Sequence, residues 1–65
     1  MTKEELKQKV LSDDKTITSK DFDETVEYIN EYCLINEVLE FTEKLINEGY
    51  NPSMAIKMAM HEWDL

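Results

Sequence analysis

The sequence predicts an all-α fold, one small domain over residues 1–65 arranged as a bundle of three to four short helices. Three observations carry that prediction. Apolar residues recur at spacings of three and four, helix-capping signals punctuate the chain, and alternation of period two is absent outside Thr16-Ile17-Thr18. Thr2 followed three residues later by Glu5 has the form of a capping box, and Leu6 lies four residues before Val10, with Leu11 beside it, so a first helix is expected over about 3–11. Ser12 to Thr18 reads as a polar loop. Thr18, with Asp21 at its N3 position and Asp23, Glu24 and Glu27 following, opens a second helix, because a hydroxyl accepts an orphan N–H and carboxylates favour the positive helix end.

That second helix, expected over about 19–34, carries Phe22, Val26, Ile29 and Cys33 at +4, +3 and +4. At about 100° per residue these four fall within about 60° of one another, whereas Leu34, Val38, Phe41 and Leu45 cluster about 120° away, with Ile35, Leu39 and Ile46 further round. One straight helix cannot aim both sets at one core. Either the chain breaks near Leu34 to Asn36, with Asn36 capping a third helix over about 37–48, or a continuous helix meets different partners along its two halves; the break is the preferred reading. Gly49 supplies a C′ stop, Asn51 an N-cap and Pro52 the N1 position, which predicts a helix hairpin at Gly49–Pro52 and a last helix over about 52–62.

The charge is uneven. Fifteen acidic side chains oppose seven basic ones, all Lys with no Arg, for a net −8. Residues 1–20 contribute +1, residues 21–48 contribute −8 and residues 49–65 contribute −1. A direct nucleic-acid reader is excluded as an expectation, since such proteins carry a basic patch and rely on Arg for bidentate contacts. No apolar run approaches the roughly 20 residues of a membrane span, and the start of the chain lacks the apolar core of a signal peptide. A single Cys33 makes no internal disulfide, so a cytoplasmic protein is expected.

Catalytic and metal-binding constellations are not evident. His61 is the only histidine, and it lies beside Glu62 on the last helix. Cys33 sits on an apolar stripe in the most acidic segment, which predicts a packed thiol rather than a nucleophile. Asp21 and Asp23 are two apart and point to different sides of a helix. Chains of this size bury only about 60% of their unfolded surface, which leaves little room for a dry cavity. No enzyme, cofactor or metal is expected.

Two local resemblances bear on the loops. Ser12 to Phe22 resembles the second half of an EF-hand calcium loop, through Ile17, Asp21 and the following Phe22, but Val10 stands where the first carboxylate ligand belongs and Lys15 where glycine makes the bend. A loop capped by Thr18 accounts for the same residues. Leu45 to Ala59 is similar to the first helix end, Gly-aromatic loop and alanine-bearing second helix of ubiquitin-associated domains, a likeness of the hairpin alone that carries no function with it.

The functional expectation rests on the acidic middle. Asp23, Glu24, Glu27, Glu31, Glu37, Glu40 and Glu43 would steer the chain onto a basic surface of a larger protein, with Tyr28, Tyr32 or Trp63 as apolar anchors. The expected role is a non-enzymatic inhibitor or adaptor. Where that surface normally binds nucleic acid, the chain would act as a mimic of it. Small size, absence of Arg and charge asymmetry resemble phage-encoded modulators of host polymerases, nucleases or defence systems at the level of class. The last helix carries Ala55 and Ala59 as a small-residue strip beside Ile56, Met60 and Trp63, and Ile56, Ala59, Met60 and Trp63 are expected to pack on the preceding helix through Phe41, Leu45 and Tyr50. The alternative role is a structural protein that forms a homodimer through that helix or through the offset stripe of residues 34–46, with the acids serving only solubility.

Overall fold

A computed structural model describes all residues, Met1–Leu65, as four helices with no strand: α1 (Lys3–Asp13), α2 (Ser19–Glu31), α3 (Ile35–Asn47) and α4 (Pro52–Glu62). The first two begin as the sequence predicts. The Thr2 hydroxyl accepts from the Glu5 N–H at 3.1 Å while the Glu5 carboxylate accepts from the Thr2 N–H, and Thr18 and Asp21 repeat the exchange at 3.0 and 3.1 Å. α1 runs two residues past its expected end at Leu11, closing at Asp14, whose N–H donates to the Val10 carbonyl.

The break between α2 and α3 is present, three residues earlier than expected, and its chemistry differs. α2 ends at Glu31 rather than 34. Cys33 takes a left-handed conformation, φ 56°, in which its N–H donates to Asn30 and the Leu34 N–H donates to Ile29. These two bonds define a Schellman motif with Cys33 at C′. Leu34 then opens α3 directly: its carbonyl accepts from Val38 at 2.9 Å, and no side chain caps the helix. The expectation that Asn36 caps a helix beginning at 37 is thus corrected, because Asn36 lies inside the first turn. The packed thiol is corrected too. The left-handed turn rotates Cys33 off the α2 stripe and leaves it exposed.

The same motif closes α3 and α4. Gly49 (φ 107°) donates to Ile46 and Tyr50 to Leu45, while Asp64 (φ 57°) donates to His61 and Leu65 to Met60. Each C″ residue is apolar (Leu34, Tyr50, Leu65), and each C3 residue is too (Ile29, Leu45, Met60), the contact that usually accompanies this stop.

α4 matches its expected bounds, with Asn51 at the N-cap and Pro52 at N1. The Asn51 side chain makes no capping bond, however. Asp13 at the end of α1 does that work from 40 residues away, accepting from the Ser53 N–H at 3.3 Å and the Ser53 hydroxyl at 2.6 Å.

The core has two adjoining parts. Leu6, Val10, Phe22, Val26 and Ile56 join α1, α2 and α4, and Ile29, Val38 and Ala59 join α2, α3 and α4. The two offset stripes of the sequence therefore do reach one interior, because the turn at Cys33 changes the direction of the chain between them. α3 and α4 form the most extensive helix pair. Small buried side chains on both, Thr42 on α3 and Ala55 and Ala59 on α4, allow that approach. Thr42 was not foreseen as interior; its hydroxyl donates to the Val38 carbonyl at 2.7 Å, so its burial leaves no polar atom unsatisfied. The Cα radius of gyration, 10.5 Å, matches the about 10.7 Å expected of a folded 65-residue domain. No helix is long and apolar enough to cross a membrane.

Candidate protein-binding surface

The acidic residues of α2 and α3 stand opposite the buried stripe of their own helix. On α2, Phe22, Val26 and Ile29 face inward while Asp23, Glu24, Glu27 and Glu31 are exposed. On α3, Val38, Thr42 and Leu45 face inward while Glu37 and Glu40 are exposed and Glu43 is half-buried. This follows from the period of 3.6, since the acids fall between the apolar positions.

The seven carboxylates divide by their partners. Asp23 accepts from Lys7 Nζ at 2.9 Å, tying α2 to α1. Glu24 lies 3.9 Å from Lys20, one turn back on the same helix. Glu43 pairs with the Met1 ammonium and, by accepting its hydrogen bond, holds that amine above its ordinary pKa. Glu27, Glu31, Glu37 and Glu40 form no salt bridge within the chain.

Two aromatic groups border these carboxylates. Tyr28 and Tyr32 project from the end of α2 and are 40% and 54% exposed, a high fraction for side chains of their size. Their rings meet edge to face, centroids 5.4 Å apart. Glu27 and Glu31 flank them in the chain. Trp63 has a different setting: it is half-buried and stands edge to face against Phe41 of α3 at 5.8 Å, linking the end of α4 to α3. Trp63 thus packs on α3 through Phe41, as the sequence predicts, whereas Tyr50, expected to share that contact, is left 41% exposed. The two residues are 22 apart, and only the α3–α4 hairpin brings them together.

Asp14 and Asp21 are engaged locally. Asp14 accepts from the Thr16 hydroxyl at 2.6 Å and the Thr16 N–H at 3.0 Å, and these bonds hold its carboxyl below its ordinary value. Asp21 is committed to the α2 cap. The loop of EF-hand appearance is accounted for by turn and cap hydrogen bonds. Nowhere do three or more His, Cys, Asp or Glu side chains gather as a metal-binding group.

Comparison with protein-family models, with curated proteins and with solved structures finds no match.

Proposed function

We propose that this chain is a non-enzymatic, cytoplasmic protein-binding modulator, an inhibitor or adaptor, that docks the acidic sides of α2 and α3 on a basic surface of a larger protein. The supporting observation is the set of four exposed carboxylates that form no salt bridge, Glu27, Glu31, Glu37 and Glu40, with the exposed Tyr28–Tyr32 pair beside the first two. Uncompensated charge steers encounter, and exposed tyrosines supply rigid, amphipathic contact area. Where the basic surface is one that binds nucleic acid, the chain competes as a mimic of the phosphate backbone, in the manner of small phage modulators.

Self-association through α4 has less to support it. The small strip that would bring two copies close, Ala55 and Ala59, is fully buried within the chain, as is most of Ile56. Met54 remains 52% exposed, an isolated apolar side chain rather than a seam.

The test uses tagged chain to isolate a partner from the native host, followed by association kinetics with the purified pair. Replacing Glu27→Lys and Glu31→Lys together should cut the on-rate by roughly tenfold or more at low salt, with helicity by circular dichroism unchanged. An on-rate indifferent to both the double reversal and ionic strength would sink the acidic-surface reading. A salt-indifferent, concentration-dependent dimer would favour assembly instead.

A further inference from the structure

We infer that the cleft between Phe41 and Trp63 receives the guanidinium of an arginine side chain from the basic partner. The inference deepens the proposed acidic-surface function and rests on it. Five residues line this cleft of about 370 Å³: Glu37, Glu40, Phe41, Lys44 and Trp63. It thus combines two aromatic rings with two exposed carboxylates that form no salt bridge. The rings are held nearly perpendicular, at 85°, in the edge-to-face arrangement that aromatic pairs prefer.

A cation already visits the site. Lys44 Nζ stands 5.9 Å from the centroid of the Phe41 ring, at the limit of a cation–π contact, and takes part in none of the chain's ion pairs. Lys44 is exposed on a flexible stem, so it can leave the ring to an incoming group. The aromatic and carboxylate lining of the cleft favours guanidinium over ammonium. Guanidinium is planar, weakly hydrated, stacks on aromatic faces and forms paired hydrogen bonds to carboxylates, whereas ammonium is a compact and strongly hydrated point charge. The chain has no arginine of its own, so the occupant comes from another protein.

Trp63 is the sole tryptophan, and its emission reports on the cleft directly. The probes are a heptapeptide alternating glycine with arginine and its lysine counterpart, titrated at matched low ionic strength. The arginine peptide should change Trp63 emission saturably and bind about two- to fivefold more tightly than the lysine peptide, the range of an exposed cation–π contact. Glu37→Gln with Glu40→Gln should weaken both peptides, and Phe41→Leu should remove the preference for arginine. Lys44→Gln, a surface change that leaves the core untouched, should tighten both.

Equal affinity for the two peptides, or a preference that survives Phe41→Leu in a folded variant, would overturn the assignment. So would weaker binding by Lys44→Gln, or a concentration-dependent dimer that Phe41→Leu abolishes, which would give the cleft to a second copy. Glu27 and Glu31 lie outside the cleft. Their charge reversal, measured with the native partner, therefore tests the acidic-surface reading separately, and that reading can stand when the arginine preference fails.

Discussion

Among single residues, Cys33 decides most about the chain path. A non-glycine residue in left-handed backbone is disfavoured by about 1–2 kcal/mol, yet here the conformation closes α2 and releases Leu34 to open α3. Cys33→Gly should keep the fold and, after the greater chain entropy of glycine is subtracted, raise the unfolding free energy by roughly 0.5–1 kcal/mol in a urea titration. Asp14 gives a pH-dependent counterpart. Its folded value is held below the ordinary 3.8 by the Thr16 hydroxyl and N–H, so its contribution to stability is present above that value and is lost as pH falls through the folded one. In a carboxyl chemical-shift titration, Asp14 should titrate below 3.8 in the native chain and move back toward it in Thr16→Val. The starts of α1 and α2 were legible because Thr2–Glu5 and Thr18–Asp21 exchange hydrogen bonds within four residues. The end of α2 was not, because Cys33 occupies a position where glycine is the usual signal; the apolar C″ residue Leu34 was the available sign.

At the scale of elements, the α3–α4 hairpin organises the interior. Gly49 and Pro52 announce its turn in the sequence, and both bounds of α4 follow from local rules. How closely the helices approach depends on Thr42, Ala55 and Ala59, all fully buried. Ala59→Leu should therefore be destabilising by about 1–3 kcal/mol through overpacking, read as a lowered urea midpoint with an unchanged slope. Asp13 shows the limit of local reading. A residue expected in a loop instead ends α1 and caps α4 through Ser53, a contact across 40 residues that no window of sequence contains.

For the whole molecule, charge distribution matters more than net charge. An interface of standard size covers about 800 Å² on each partner, roughly a fifth of the 4391 Å² exposed here, so one side of the chain would suffice for the proposed docking. The salt dependence expected of that docking belongs to this scale, because steering sums over all uncompensated carboxylates and is screened beyond a Debye length of about 10 Å at 0.1 M. The candidate surface was partly legible: the acids fall opposite the apolar stripes by periodicity alone. Which of them are neutralised was not, since Lys7–Asp23 and Met1–Glu43 join residues distant in the chain.

The sequence by itself determined the helices and which side of each turns inward, because capping and a period of 3.6 act over a few residues. Tertiary structure alone decided that two offset stripes share one interior, that Cys33 faces solvent and that Asp13 caps α4. Each of these depends on the direction the chain takes after a turn, and a small rotation there is amplified along the next helix into a change of neighbours.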